Sequence, residues 1–152
     1  MNYDSILFDL DGTLLDTLDD LADSVNYALG KYSLPIQDRS KIRSYIGNGA
    51  ENLIARSMPQ GKENPFFGAV FADFRKHYTE HSSDKTRPYP GVPQLVKELT
   101  KRHIKMGIVS NKPDVSVKQL MEKFFEKEIS VAIGAREGIE KKPAPDTVFA
   151  AL

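Results

Sequence analysis

The stretch ILFDLDGTLLDT, residues 6–17, joins an apolar run to a polar turn within a few positions. Residues 6–8 predict a short buried strand, because the run is apolar and is bounded by turn-forming residues. Asp9 and Asp11 follow at once, and two carboxylates this close repel each other unless a cation is near or one is protonated. The stretch therefore predicts a strand that ends at a site with a compensating charge.

The composition is that of an ordinary globular protein and excludes several classes. Of 152 residues, 40% are hydrophobic and 28% charged, and 21 basic residues balance 21 acidic ones. This balance gives no indication of a nucleic-acid partner. The absence of cysteine excludes disulfides and thiolate metal sites. No apolar run approaches the roughly 18 residues of a membrane span, and the N-terminus lacks the basic region of a signal peptide. We therefore expect no membrane partner and a cytoplasmic location.

Two patterns divide the chain. Apolar strands at 104–110 and 129–134 alternate with helical patterns, which predicts a parallel sheet with crossover helices. Residues 16–86 show four helical patterns and no strand. The first pattern places six apolar residues on one face of a helix: Leu18, Leu21, Ala22, Val25, Ala28 and Leu29. We predict an α/β fold in which residues 1–15 and 87–152 form the parallel sheet core, with 16–86 as an inserted all-helical domain.

Polar side chains follow each predicted strand of the core. Asp9 and Asp11 follow the first strand, Ser110 and Asn111 lie at the end of the second, and the loop GAREGIEKKPAPD (134–146) follows the third with two lysines. Ligands of open parallel sheets bind beyond the carboxyl ends of the strands. Carboxylates suit Mg²⁺, which often shares its ligands with a phosphate. The pattern predicts Mg²⁺-dependent phosphoryl transfer through an aspartyl-phosphate.

Three motifs resemble those of the haloacid dehalogenase-like hydrolase superfamily. FDLDGTL (8–14) resembles its first motif, IVSN (108–111) its second, and Lys142 within KKPAPD (141–146) its third, in the same order and with similar separations. The resemblance implies a Rossmann-like parallel core, incomplete at the C-terminus. It also implies that the helical insertion is similar to the C1 cap of that family.

The resemblance implies a role for each motif residue. Asp9 would be the nucleophile and a magnesium ligand. Asp11 would be the general acid–base, with its backbone carbonyl on the metal. Lys142 would act in catalysis by keeping Asp9 ionised. The phosphate-binding residues would be Gly12, Ser110, Asn111 and Lys142.

The segment YIGNGAENLIARS (45–57) resembles the cap segment of phosphoglycolate phosphatases. A helix that begins near Asn48 and Gly49 can bind an anion, such as a substrate carboxylate, at its N-terminus. Gly47, Asn48 and Gly49 are therefore the candidate residues for substrate specificity. The expected substrate is a small phosphorylated metabolite similar to phosphoglycolate.

The fourth motif of the family, an acidic cluster of the type GDxxxD, does not follow KKPAPD here. The sequence ends at DTVFAAL (146–152), where a helix begins. We expect a chain truncated before this motif, with weak activity and with self-association, such as a homo-oligomer, through an uncovered edge. If the chain is complete, Asp114 or Glu137 is the candidate for the missing metal ligand.

Two other hypotheses stay open. In the first, the chain is an inactive fragment that binds phosphate or a partner chain. HYTEH (77–81) also fits the H-x-x-E-H pattern of a zinc hydrolase, with His77, Glu80 and His81 as its residues. The competing interpretation of HYTEH is a solvated helix end.

Overall fold

A computed structural model describes residues 3–152, and the chain forms two compact units. The sheet unit comprises the residues up to Asp16 together with Arg87–Leu152, and the helical unit comprises Thr17–Thr86. The division predicted from the sequence fell at residues 15/16 and 86/87. Residues 1 and 2 of the predicted core lie outside the described residues.

The described residues form five strands and seven α-helices, with one 3₁₀ turn at Gly61–Glu63. In chain order they are β1 (Ser5–Phe8), β2 (Leu15–Asp16), α1 (Leu18–Lys31), α2 (Arg39–Tyr45), α3 (Ala50–Ser57), α4 (Phe67–His81), β3 (Arg87–Pro88), α5 (Val92–Lys101), β4 (Lys105–Pro113), α6 (Asp114–Phe125), β5 (Val131–Ala135) and α7 (Asp146–Ala151).

The sheet unit contains a parallel sheet of three strands in the order β1-β4-β5. This confirms the predicted α/β class. Strand β4 lies in the centre and runs three residues further than the predicted 104–110, to Pro113, which still pairs with Ala135 after a register shift. The extension matters because the polar residues Ser110 and Lys112 lie on a strand paired to β5, and not in a loose loop.

An apolar cluster of the sheet unit fixes the turn after β1. Leu10, Leu14 and Leu15 are all buried, at no more than 1% exposed. Their packing partners come from α5, β4, α6 and β5 and include Val92, Val96, Ile108, Val117, Leu120, Phe125 and Ala132. The burial of Leu10 between two aspartates anchors the chain at the point where the predicted site begins.

The helical unit is a bundle of α1 to α4 around its own apolar cluster. The predicted apolar face of α1 is confirmed, because all six of its members are buried: Leu18, Leu21, Ala22, Val25, Ala28 and Leu29. They pack with apolar residues of α2, α3 and α4, including Ile42, Ile54, Val70 and Phe74. No helix within residues 3–152 combines the length and the apolar character of a membrane span.

A short antiparallel ribbon marks the two crossings between the units. Leu15 of β2 pairs with Pro88 of β3, and Asp16 pairs with Arg87. The sequence did not predict this ribbon, since two-residue strands carry no periodicity. It brings the start and the end of the helical insertion together on the sheet unit.

Candidate active site

The turn after β1 is a compact loop built on one carbonyl group. The backbone N–H groups of Thr13, Leu14 and Leu15 all donate to the Leu10 carbonyl, at 3.3, 3.1 and 3.1 Å. The Gly12 N–H donates to the Leu15 carbonyl at 2.9 Å. Gly12 has a φ of 78°, which L-residues rarely adopt, so the turn itself requires glycine.

Asp9 meets a lysine from the far end of the sheet unit. Lys142 Nζ donates to Asp9 Oδ1 at 2.7 Å and to the Val109 carbonyl at 3.0 Å. The Asp9 side chain is 42% exposed, so a ligand can reach it. Lys142 thus contacts the predicted nucleophile, whereas its neighbour Lys141 is exposed.

Asn111 fixes the backbone of Lys142. Its Oδ1 accepts the Lys142 N–H at 2.8 Å, and its Nδ2 donates to the Lys142 carbonyl at 3.1 Å. Asn111 was predicted to bind phosphate directly. Here its amide oxygen and nitrogen both hold the chain that carries Lys142, so its observed contacts are those of a residue that positions the lysine.

Asp11 meets a second lysine, which the sequence did not single out. Lys112 Nζ donates to Asp11 Oδ1 at 2.8 Å, and the two side chains are only 4% and 14% exposed. The available signal was the spacing: Lys112 follows Ser110 by two residues, and alternate residues of a strand share a face. Together the two lysines supply the compensating charge that the aspartates of the opening stretch require.

Ser110 lies beside these groups at 2% exposed. Its Oγ accepts the Lys112 N–H at 3.2 Å and keeps its own hydrogen to donate. Five of the predicted residues are therefore gathered at the carboxyl ends of β1 and β4 and in the following loops: Asp9, Asp11, Ser110, Asn111 and Lys142. Gly12 lies in the same turn as Asp11.

The donor set of this site suits a hard cation that needs few protein ligands. Asp9 and Asp11 offer carboxylate and carbonyl oxygens, and Mg²⁺ is commonly held by one or two carboxylates, waters and a substrate phosphate. No group of three His, Cys, Asp or Glu side chains within residues 3–152 is arranged to hold a metal. The residues present thus fit Mg²⁺ in kind, with the two aspartates as its protein ligands.

Asp114 is occupied by structural contacts. Its Oδ1 accepts the Gly134 N–H at 2.8 Å, and its Oδ2 accepts from Lys118 at 2.6 Å. Desolvation opposes ionisation of this carboxylate, but the hydrogen bonds from Lys118 and Gly134 outweigh it and hold its pKa below the usual range. The Gly134 contact joins α6 to β5, the Lys118 contact lies within α6, and neither supports Asp114 as a replacement metal ligand.

The candidate specificity residues lie in the helical unit. Gly47 and Gly49 both have a positive φ, 114° and 87°, and the Asn48 carbonyl accepts from Asn52 Nδ2 at 2.9 Å. Helix α3 begins directly after them, at Ala50. The turn before the helix is as predicted from its glycines, and its part in substrate selection stays a prediction.

The two histidines of HYTEH lie in a stack of rings. The ring centroids of His77 and His81 are 4.4 Å apart, and the Tyr27 ring stacks on His77 at 4.1 Å. His77 Nδ1 bonds to Ser24 Oγ, and His81 Nδ1 bonds to Asp84. In the part of the chain that the structure describes, no third metal ligand joins them, so the zinc hypothesis gains no support.

The family assignment follows from a match to nearly the whole chain. Residues 6–152 match the family model described as haloacid dehalogenase-like hydrolase. The protein therefore belongs to the haloacid dehalogenase-like hydrolase family. This confirms the resemblance seen in the three motifs.

Two curated relatives and one solved structure show the similarity in more detail. An N-acetylmuramic acid 6-phosphate phosphatase of Pseudomonas aeruginosa is 28% identical over 152 residues, which cover 99% of this chain and 67% of the relative. A phosphoglycolate phosphatase of Mannheimia succiniciproducens is 33% identical over 150 residues, which cover 91% and 66%. The crystal structure of a predicted phosphoglycolate phosphatase from Haemophilus somnus matches with a TM-score of 0.89 at 29% identity. The match covers 97% of this chain and 69% of that chain. The chain spans about two thirds of the length of these relatives.

Proposed function

We propose that this chain carries the catalytic residues of a Mg²⁺-dependent phosphatase that hydrolyses a small phosphate monoester through an aspartyl-phosphate. The observation that supports this most strongly is the pairing of two aspartates with two different lysines. Lys142 lies 2.7 Å from Asp9, and Lys112 lies 2.8 Å from Asp11. A single carboxylate–lysine pair is common in proteins, whereas two pairs side by side after β1 indicate two carboxylates with separate tasks.

The charge of the site supports a phosphate ligand. With Asp11 protonated as the acid of the first step, one carboxylate and two ammonium groups give the four side chains one positive charge. This charge attracts a phosphate monoester dianion, and a Mg²⁺ ion would add to the attraction. The ion, when bound to Asp9 and Asp11, would offset the charge of the transferring phosphoryl group.

In the first step Asp9 is the proposed nucleophile. Its carboxylate oxygen attacks phosphorus, the bond from phosphorus to the leaving oxygen breaks, and Asp11, entering as the acid, gives its proton to that oxygen. The Asp9 side chain is the more exposed of the two aspartates, 42% against 14%, which suits the group that must reach the phosphorus. Lys142 holds Oδ1 of Asp9, and the Ser110 hydroxyl is proposed to donate to a phosphoryl oxygen.

In the second step water hydrolyses the aspartyl-phosphate. Asp11, now a carboxylate, takes a proton from the water, whose oxygen bonds to phosphorus as the bond to Asp9 breaks. Inorganic phosphate leaves, and both aspartates return to their starting state. An Asp11 that is only 14% exposed and is held by Lys112 suits this double use, because general acid–base catalysis requires a group held within hydrogen-bond reach of the moving proton.

For the substrate we propose a small phosphorylated carboxylic acid. Phosphoglycolate and N-acetylmuramic acid 6-phosphate appear as substrates in the names of two relatives. In both compounds the phosphate is an ester of a hydroxyl group, and the molecule also carries a carboxyl group. Gly47, Asn48 and Gly49 remain the proposed specificity residues. A panel of monoesters tests this: turnover of hexose phosphates or nucleotides far above that of either phosphorylated acid would show that the substrate class is wrong.

Substitution of Asp9 by asparagine tests the mechanism. The change keeps the shape of the side chain and removes the attacking charge, so we expect kcat to fall on the order of 10³-fold or more, about 4 kcal/mol in the barrier. The matched control is Asp4→Asn, because Asp4 is an exposed aspartate just before β1. Near-normal turnover in Asp9→Asn would exclude the aspartyl-phosphate. A wild-type chain that binds phosphate but turns over no monoester would favour the alternative of a non-catalytic phosphate-binding fragment.

A further inference from the structure

Lys112 is buried in a place where an unpaired ammonium would be costly. It is the one lysine within residues 3–152 that is buried, at 7% exposed. Burying a charged group is unfavourable unless it is paired and hydrogen-bonded. Its ammonium group donates to Asp11, so the fold places a buried lysine where it meets this carboxylate.

The backbone of Lys112 is also constrained by its neighbours. Its N–H donates to Ser110 Oγ at 3.2 Å. Its carbonyl lies so close to Gly134 that a Cβ atom there would be 2.7 Å from the Lys112 oxygen. A lysine fixed at both ends is suited to hold its partner in one orientation.

The two lysines divide the site between them. Lys142 reaches Asp9 from the loop after β5, and Lys112 reaches Asp11 from β4. We propose, on the basis of the function proposed above, that Lys112 is the positioning residue for Asp11. By holding Oδ1 of Asp11, Lys112 assigns the proton transfers to Oδ2. This oxygen gives its proton to the leaving oxygen in the first step and takes a proton from water in the second.

Two substrates separate this role from a general structural one. The leaving oxygen of phosphoglycolate is an alkoxide that needs a proton, whereas p-nitrophenolate departs readily without one. The value of kcat/KM reports the steps up to departure of the leaving group. We therefore expect Lys112→Met to lower kcat/KM for phosphoglycolate about 10- to 100-fold and that for p-nitrophenyl phosphate less than about 3-fold.

Matched variants complete the comparison. Lys142→Met is expected to lower kcat/KM for both substrates, because Lys142 contacts the nucleophile Asp9. Lys141→Met, an exposed neighbour, is expected to change neither. In an Asp11→Asn background, Lys112→Met should cause no further loss, since a residue that acts only through Asp11 has nothing left to position.

Several outcomes would overturn the proposal. An equal fall for both substrates in Lys112→Met, or an additive loss in the Asp11→Asn background, would show that Lys112 acts on the substrate or on the fold. Circular dichroism and the thermal midpoint report the fold directly. If Lys112→Met does not fold, Lys112→Arg keeps the charge with altered donor geometry and is expected to show the same substrate-selective loss. A wild-type chain without turnover of either substrate would instead reject the proposed function itself.

Discussion

Asp20 is a buried carboxylate whose replacement should destabilise the helical unit strongly. It lies in the first turn of α1 at 2% exposed. Its two oxygens accept the Lys85 N–H at 3.0 Å, and its Oδ2 also accepts the N–H and the hydroxyl of Thr86 at 2.8 and 2.7 Å. The contact closes the helical unit where the chain is about to return to β3.

The expected loss of stability in Asp20→Ala follows from the N–H and hydroxyl donors of Thr86, which lose their acceptor. Thr86 is 1% exposed, so water cannot readily replace the carboxylate. A buried donor left unsatisfied costs roughly 1–3 kcal/mol, so two such donors give about 2–6 kcal/mol. The Lys85 N–H is nearer to solvent and adds little. Asp20→Asn keeps one acceptor oxygen and should cost about half as much.

Urea unfolding of the full chain, followed by far-ultraviolet circular dichroism, measures this loss. A lower midpoint with an unchanged slope reports a change of stability alone. The control is Asp23→Ala, which removes an exposed aspartate that pairs with Lys85 Nζ at the surface, and it should leave the midpoint unchanged. A loss under about 1 kcal/mol in Asp20→Ala, or an equal loss in the control, would refute the reasoning.

Three further predictions follow from the same structure. Gly134→Ala should destabilise the sheet unit by a few kcal/mol, because the new Cβ would lie 2.5 Å from the Asp114 Cα. The control Gly68→Ala places a Cβ with no atom within 4 Å and should leave the stability unchanged, so equal unfolding midpoints of the two variants would contradict this prediction. Desolvation and the neighbouring imidazole of His81 lower the pKa of His77 below its ordinary value. As the pH falls, this histidine is therefore protonated in the unfolded chain before it is protonated in the folded chain, and the stability should fall as the pH drops below about 6.5. His77→Gln should remove this part of the pH dependence and His103→Asn should not; an identical slope in both would be the contrary result. Chelation should abolish turnover and Mg²⁺ should restore it, whereas recovery with Zn²⁺ alone would favour the zinc hydrolase.

The helices and the strands of the main sheet followed from local patterns. The apolar face of α1 was predicted from its spacing, and the strands from short apolar runs ended by polar residues. Both signals depend on neighbours in the sequence, which is why they could be used without a structure. The β2–β3 ribbon left no such signal, because Leu15 pairs with Pro88 across the whole helical insertion.

The site shows a similar limit. The sequence indicated that the two aspartates need a compensating charge, but Lys142 was the one residue predicted to supply it. The second partner, Lys112, is 101 positions from Asp11. It lies beyond residue 110, where the predicted strand ended, so its two-residue spacing from Ser110 did not indicate a shared strand face. Likewise Asp19 and Asp20 both suit the first turn of a helix. Only the packing makes Asp20 a buried acceptor, while Asp19 contacts Arg39 at the surface.

The contrast between the two ion pairs indicates how one strand end can support two kinds of chemistry. Surface ion pairs contribute little and reorganise easily, whereas buried ones are costly to break and hold their geometry. The Asp9–Lys142 pair is the more exposed, with side chains 42% and 29% exposed, and the Asp11–Lys112 pair is almost enclosed. The proposed nucleophile must reach phosphorus with one oxygen while Lys142 holds the other, so an accessible pair suits Asp9. A group that gives a proton and then takes one must return to the same place, so an enclosed pair suits Asp11. Both environments occur within three residues, because Leu10, buried between Asp9 and Asp11, fixes the turn that carries the two carboxylates.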